Sequence, residues 1–145
     1  MFQQVEKHGK ILHEMISSKV EEDRKVFFIY GGTDVEAREE ARHITEQQNN
    51  AIIIASYGVF STGINIPSIQ NVIFASPTKS KIRNLQSIGR GLRLKDGKKH
   101  CNLYDIADDL HYKSWKNHTL GHLAERLKIY SEEKFNYKLI EVDLE

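Results

Sequence analysis

Residues 25–56, K-V-F-F-I-Y-G-G-T-D-V-E-A-R-E-E-A-R-H-I-T-E-Q-Q-N-N-A-I-I-I-A-S, decide the fold class of this chain. Two apolar runs, at 25–30 and 51–55, flank a stretch at 33–48 that has helical character. Runs of consecutive apolar residues are typical of strands buried on both faces of a parallel sheet. The T-x-x-E at the start of the middle stretch has the form of a capping box. A strand–helix–strand unit with short turns predicts an α/β fold in which helices cover both faces of a parallel sheet.

The alternation of strands and helices continues on both sides of this unit. Apolar runs and alternating residues predict the remaining strands, and apolar residues at helical spacing predict the remaining helices. Further strands are predicted at 71–75, 102–107 and 138–144, the last at the edge of the sheet, and further helices at 5–20, 80–89 and 115–135.

Length and composition are those of an ordinary globular domain. The 145 residues are 39% apolar and 28% charged, and no run approaches the length of a membrane span. The single cysteine, Cys101, excludes a disulfide within the chain and favours a reducing compartment. The first residues contain no apolar core of a signal peptide, so we expect a cytoplasmic protein without a membrane partner. Because a helical stretch begins almost at once, we also expect the chain to start inside a domain.

The net charge of +1 conceals a strongly basic segment. Residues 79–99 contain eight Lys or Arg and one acid, Asp96, which gives this segment a net charge of +7. A basic segment in a nearly neutral chain indicates a local anionic partner. A solvated charged face is the alternative, above all for 95–99, which has the composition of a turn.

The stretch Q-S-I-G-R-G-L-R at 86–93 concentrates the basic chemistry. On a helix, Gln86, Arg90 and Arg93 fall on one stripe, and Arg83 extends it. Guanidinium groups stay protonated and grip phosphate oxygens with a rigid fork. The two glycines in this stretch each cost about 1 kcal/mol in a helix, which makes a merely solvated face the weaker explanation. The stripe therefore predicts a site for a polyphosphate or a nucleic-acid backbone.

No phosphate cradle accompanies this stripe in the sequence. The chain contains no G-x-x-x-x-G-K-[ST], no G-x-G-x-x-G after a strand, and no acid pair placed to hold Mg²⁺ after a strand. We therefore predict that it has neither a P-loop nor a magnesium site of its own.

Three stretches, in order along the chain, resemble motifs of superfamily 2 helicases. The pattern Q-x-x-G-R-x-x-R at 86–93 resembles motif VI. The stretch A-S-Y-G-V-F-S-T-G-I-N-I-P at 55–67 resembles motif V, with Asn65 where the family usually has an acid. Gly31 followed by Arg38 resembles the segment between motifs IV and V. The resemblance extends over residues 2–109, and the chain is identified as a member of that family.

The resemblance implies the second RecA-like domain of a helicase. Such a domain is a three-layer, P-loop NTPase-like α/β structure with a mainly parallel sheet, and here it lacks its own P-loop. Residues 1–110 would form this domain, and a C-terminal helix and edge strand at 111–145 would pack on it. The C-terminal sequence I-Y-S-E-E-K-F-N-Y-K-L-I-E-V at 129–142 is similar to that of a phage subgroup of these helicases that acts in recombination and repair. This similarity implies the host cytoplasm as the location.

The motifs imply a role for each matching residue. Arg90 and Arg93 would stabilise charge on the transferred phosphate, and Gln86 would position that phosphate or a water molecule. The nucleotide would be contacted by Gly63, Asn65, Arg90 and Arg93. The backbone phosphates of nucleic acid would be contacted by Arg38, Ser56, Thr62, Lys79 and Lys81. The motif V loop is one residue longer than its common form, so its phosphate-binding hydroxyl is open among Ser56, Tyr57, Ser61 and Thr62.

The implied activity belongs to a whole helicase that couples ATP hydrolysis to unwinding, annealing or branch migration of DNA. ATP and its Mg²⁺ would be held mainly by the first, Walker-containing RecA-like domain of the same protein. The isolated chain is therefore predicted not to hydrolyse ATP. One alternative is a non-catalytic α/β module that binds nucleic acid or protein. A more remote alternative is a flavodoxin-like domain that binds a small ligand by itself.

Two groups near the end of the chain have competing interpretations. Asp105, Asp108 and Asp109 are of the residue type that binds metals, but the better prediction is that Asp108 or Asp109 begins the following helix. The rings of Trp115 and Tyr112 are suited to stacking on a base, but we expect them to anchor the last helix in the core.

Overall fold

The computed structural model describes residues 2–48, 50–62, 66, 69–75, 100–110, 113–115 and 117–143, with the side chains of 2–5 and 60–62 excepted. Its helices are α1 (Phe2–Ser17), α2 (Val35–Gln47), α3 (Tyr57–Thr62) and α4 (His118–Glu132). Its strands are β1 (Val26–Ile29), β2 (Ile52–Ala55), β3 (Asn71–Phe74) and β4 (Asn102–Asp105). The four strands predicted between residues 25 and 107 are confirmed, each shortened by one or two residues.

The elements divide into two compact units. The first contains α1, α2, α3, β1 and β2, and the second contains α4 and nearly all of β3 and β4. The predicted helix at 80–89 lies outside the described residues. The boundary predicted after residue 110 stays a prediction.

In the first unit, β1 and β2 form a parallel pair. The register runs from Val26 opposite Ile52 to Ile29 opposite Ala55. One backbone hydrogen bond beyond the register extends the ladder, because the Ser56 N–H donates to the Ile29 carbonyl at 3.0 Å. The parallel pairing that the consecutive apolar residues predicted is confirmed.

Helices lie on both faces of this pair. Alternate residues of each strand point to opposite faces and so contact different helices. On one face, Ile29 forms a buried cluster with Ala41 of α2 and Val59 of α3. Phe27 and Ile53 pack against that cluster. On the other face, α1 contacts both strands. The first unit is therefore three-layered, as the sequence predicted.

The contact between α1 and β1 depends on a glycine. A Cβ built on the buried Gly9 of α1 overlaps the ring of Phe28. His13, one turn further along α1, contacts the same strand through its Nε2, which lies 3.3 Å from the Val26 carbonyl oxygen. The absence of a side chain at residue 9 therefore lets the helix approach the strand.

We predict that Gly9→Ala lowers the free energy of unfolding while Gly121→Ala raises it. At either position, replacing glycine with alanine stabilises the helix by about 1 kcal/mol through its higher helix propensity. At residue 9 that gain is outweighed by overlap with Phe28, since overpacking costs about 1–3 kcal/mol. At Gly121 of α4 an added Cβ meets nothing within 4 Å. Urea unfolding of both variants measures the difference, and stabilisation by both would contradict the close approach.

The turn between β1 and α2 is closed differently from the predicted capping box. The Thr33 N–H donates to the Tyr30 carbonyl at 3.0 Å, and the Tyr30 N–H donates to the Thr33 hydroxyl at 3.0 Å. The helix begins at Val35 after Asp34, whose side chain makes no capping hydrogen bond. The capping-box prediction is therefore wrong, because the threonine hydroxyl closes the turn instead of capping the helix.

In the second unit, β3 and β4 pair side by side. The Asn102 N–H donates to the Gln70 carbonyl at 2.9 Å, and the Ile106 N–H donates to the Phe74 carbonyl at 3.2 Å. From the first hydrogen bond to the second, the donor and the acceptor each move four residues toward the C-terminus, which is the pattern of parallel strands. Both described strand pairs are therefore parallel.

Helix α4 ends in a Schellman motif. Lys134 has a φ of 57°, the Phe135 N–H donates to the Tyr130 carbonyl at 2.9 Å, and the Lys134 N–H donates to the Ser131 carbonyl at 3.1 Å. The Phe135 and Tyr130 rings lie 6.1 Å apart, which supplies the apolar contact of this motif. The chain reverses there, and residues 134–143 form neither helix nor strand. The predicted edge strand at 138–144 is therefore wrong over its described residues.

Two predictions about the approach to α4 are also wrong. Trp115 is 60% exposed and does not anchor the helix in the core. The helix begins at His118, not near Asp108, after the N-cap residue Asn117. The Asn117 amide donates to the Asp108 carbonyl at 2.8 Å, so its side chain fastens the preceding loop to the helix.

Within the described residues, no helix is both long and apolar enough to cross a membrane.

Candidate functional site

The carboxyl ends of β1 and β2 lie at one edge of the first unit, because parallel strands end on the same side. Ser56 follows β2, and its N–H donates to the carbonyl of Ile29 in β1. It therefore lies beside Tyr30, the residue that follows Ile29. Open α/β sheets bind ligands at this edge. Two of the predicted nucleic-acid contacts, Arg38 and Ser56, thus belong to the same edge.

Arg38 extends from the first turns of α2 back to the end of β1. Its Nη2 donates to the Gly31 carbonyl at 2.9 Å and, more weakly, to the Tyr30 carbonyl at 3.5 Å. Its Nε is buried and has no hydrogen-bond partner within the described part of the chain. The spacing of seven residues between Gly31 and Arg38, noted in the sequence, therefore corresponds to a direct contact. The guanidinium fixes the turn, and its role toward phosphate stays a prediction.

We predict that Arg38→Met lowers the free energy of unfolding by about 1.5–3 kcal/mol, as expected for lost hydrogen bonds to a charged donor. Arg42→Met is the matched control on the same helix. Arg42 pairs at 2.9 Å with both Glu39 and Glu46 on the surface, and such pairs contribute little. Urea unfolding checks both variants. Equal stability of the two would show that the turn does not depend on Arg38.

An aromatic pair lies on the α1 face of β1 and reaches the same edge. The rings of Phe28 and Tyr30 are stacked, with centroids 5.3 Å apart and an interplanar angle of 20°. A Cβ on Gly32 would lie 2.7 Å from Cε2 of Tyr30, so the turn passes close to this ring. Tyr30 was not among the residues that the motifs singled out.

In the second unit, a buried ion pair joins β4 to α4. The Arg126 Nε donates to Oδ2 of Asp105 at 2.7 Å, and its Nη2 donates to Oδ1 at 2.8 Å. The Tyr130 hydroxyl donates to the same carboxylate at 2.6 Å. Side-chain exposure is 1% for Arg126 and 9% for Asp105. Breaking such a pair leaves an uncompensated charge in the interior, so the pair holds α4 in one position on the strand.

Sequence reasoning missed Arg126 and the hydrogen bond of Tyr130 to Asp105, although a signal for the arginine was present. The apolar side predicted for the last helix includes Leu123 and either Tyr130 or Ile129. Arg126 lies between them, three residues after Leu123. A lone arginine on an apolar helix face requires a buried acid. Asp105 meets that need, which argues against its predicted alternative as a metal ligand. Among the described residues, no group of three or more His, Cys, Asp or Glu is arranged to hold a metal ion.

We predict that Tyr130 makes stability fall at high pH. Burial, and then the hydrogen bond and charge of Asp105, raise the pKa of Tyr130 above its ordinary value of 10.0. Above that value the unfolded tyrosine loses its proton while the folded one keeps it, so rising pH favours unfolding. The stabilisation is thus complete below about pH 10 and is lost as pH rises further.

Urea unfolding of the wild type and Tyr130→Phe between about pH 8 and pH 11 tests this. The stability difference should be constant in the lower half of that range and shrink in the upper half. Tyr104→Phe is the control, since Tyr104 is 53% exposed on β4. A difference that stays constant up to the highest pH would contradict the buried hydrogen bond.

Most of the remaining predicted site residues lie outside the described part of the chain. Thr62 is the last residue of α3, and only its backbone is described. Outside the described residues are Gly63, Asn65, Lys79, Lys81, Gln86, Arg90 and Arg93. Their predicted contacts therefore stay predictions.

The order of the motifs and the parallel α/β architecture agree with one family of proteins. The chain belongs to the family of the helicase conserved C-terminal domain, which matches residues 1–95. Among its relatives is the ATP-dependent DNA helicase UvsW of Enterobacteria phage T4, 36% identical over 154 aligned positions. That alignment covers 99% of this chain and 30% of UvsW. A putative ATP-dependent helicase of Saccharomyces cerevisiae is 30% identical over 100 residues, which are 68% of this chain and 14% of that protein.

Solved structures agree with the sequence relatives. The crystal structure of T4 UvsW matches with a TM-score of 0.71, covering 91% of this chain and 28% of that one. The C-terminal part of another ATPase domain, 20% identical over 85% of this chain, shares the fold with a TM-score of 0.55. The predicted RecA-like helicase fold is confirmed. The chain spans 30% of the length of UvsW.

Proposed function

We propose that this chain is the second RecA-like domain of an ATP-dependent DNA helicase that acts in recombination or repair. The observation that carries the proposal is the presence of three helicase motifs in order on a parallel α/β domain without a P-loop. Its family and its likeness to a phage DNA helicase support it. The first RecA-like domain of the same protein is the required partner.

At the nucleotide site, this chain supplies cationic side chains but no P-loop. Arg90 and Arg93 stabilise charge on the transferred phosphate, and Gln86 positions that phosphate or the attacking water. Gly63 and Asn65 contact the nucleotide from the motif V loop. ATP and Mg²⁺ are held mainly by the first domain.

On the nucleic-acid side, we assign the carboxyl edge of β1 and β2 to the DNA backbone. Arg38 and Ser56 lie at this edge, and Thr62 ends the short helix that follows it. Lys79 and Lys81 add charge from the basic segment. Each phosphate contact makes binding more sensitive to salt, because it releases counterions from the strand.

The proposal predicts DNA-stimulated ATPase activity only when a Walker-containing first domain is present. In that assembly Arg90→Ala lowers the turnover number by about 10³- to 10⁵-fold, the range for arginines that stabilise phosphoryl transfer. Arg42→Ala, on the exposed face of α2, is the control and leaves turnover unchanged. Steady-state ATPase assays with and without single-stranded DNA measure both.

Two results would overturn this proposal. Turnover by the chain alone that is lost in Arg90→Ala would show that the chain holds its own nucleotide. Absence of DNA-stimulated turnover with any first domain of the family would favour the alternative, a non-catalytic α/β module that binds nucleic acid or protein.

A further inference from the structure

Tyr30 occupies a defined position at the carboxyl edge of β1. Its ring stacks on Phe28, and Gly32 lies against its edge. The residue is partly exposed, unlike its neighbour Ile29, which is 2% exposed in the core. The ring is therefore supported on one side by Phe28, and the residue keeps part of its surface exposed.

The backbone of Tyr30 is also held in place, by two hydrogen bonds to Thr33. Its N–H donates to the Thr33 hydroxyl at 3.0 Å, and its carbonyl accepts from the Thr33 N–H at 3.0 Å. Arg38 donates to the adjacent Gly31 carbonyl at 2.9 Å. A ring that is already immobilised loses little conformational entropy when a ligand binds, so more of the contact energy appears as affinity.

The groups at this edge differ in chemistry and are suited to different parts of one ligand. Arg38 carries a guanidinium and Ser56 a hydroxyl, which both suit a phosphate. Tyr30 adds an aromatic ring. Sites for single-stranded nucleic acid combine cationic groups along the backbone with aromatic rings on which bases stack. Binding of phosphates by Arg38 and Ser56 gives the Tyr30 ring no role, whereas binding of a base does.

We propose that Tyr30 stacks on a nucleobase of the single strand bound at this edge. The inference rests on the proposed function, because it requires DNA to lie along the carboxyl ends of β1 and β2. It adds a base contact to a set of residues otherwise assigned to phosphates. Stacking is tolerant of sequence, since every base has a π face, so this contact favours single strands without selecting a sequence.

The test compares a thymidine oligonucleotide with an abasic oligonucleotide of the same length and charge, each bound to the chain and followed by fluorescence anisotropy. Tyr30→Leu weakens binding of the thymidine strand by about 5- to 140-fold, the effect of one lost base stack. It leaves binding of the abasic strand unchanged. Tyr30→Phe keeps the ring and binds both strands as the wild type does. Tyr104→Leu, the same change at an exposed tyrosine of β4, is the control.

The outcomes separate this inference from the proposed function. If Tyr30→Leu binds both strands as tightly as the wild type, base stacking is overturned while DNA binding at the edge stands. If the wild type binds neither strand, the proposed function fails and the inference fails with it. Equal weakening toward both strands would show that Tyr30 supports only the shape of the turn, which also overturns stacking.

A second measurement needs no variant and so does not depend on how well Tyr30→Leu folds. An oligonucleotide containing bromodeoxyuridine is photocrosslinked to the wild-type chain, and the linked peptide is identified by mass spectrometry. The proposal predicts a crosslink at Tyr30. Crosslinks found only at other residues would overturn it.

Discussion

The parallel pairing of β1 with β2 is the constraint on which the candidate site depends. Its register places Ala55 opposite Ile29, and the next residue, Ser56, donates its N–H to Ile29. The turns that follow the two strands therefore meet at one edge. A slip of one residue would turn every side chain of the strand to the opposite face. Ile29 would leave the cluster with Ala41, and Phe28 and Tyr30 would move together to the opposite face.

A different interaction determines the position of the last helix in the second unit. Asp105 ends β4 and is held by Arg126 and Tyr130 of α4. A buried ion pair is often no more stabilising than apolar packing, but it tolerates only one arrangement of its members. The Nη1 of Arg126 is buried without a partner within the described part of the chain, so the cluster is not fully satisfied. We infer that specificity of docking, more than stability, is what this pair contributes.

Sequence patterns predicted the strands well, because short runs of β-forming apolar residues such as V-F-F-I and I-I-I-A are typical of buried strands. Failures came where a side chain had a competing partner. The Thr33 hydroxyl closes a turn with Tyr30 and so does not cap α2. The alternating tail forms no described strand, because the reversal at Lys134 brings Tyr137 back to Tyr130, with rings 6.2 Å apart. In the site, the sequence singled out the spacing of Gly31 and Arg38 but not the hydrogen bond that joins them. Asp105 and Arg126 are 21 residues apart, and no local pattern links them.

We propose that single-stranded DNA binds along the carboxyl edge of β1 and β2. Amide hydrogen exchange of the chain, with and without a single-stranded oligonucleotide, tests it most directly, because it reports on each backbone segment separately. DNA binding at this edge should slow exchange in residues 30–34 and 56–58. Binding accompanied by protection confined to α4, or by no protection at that edge, would contradict it.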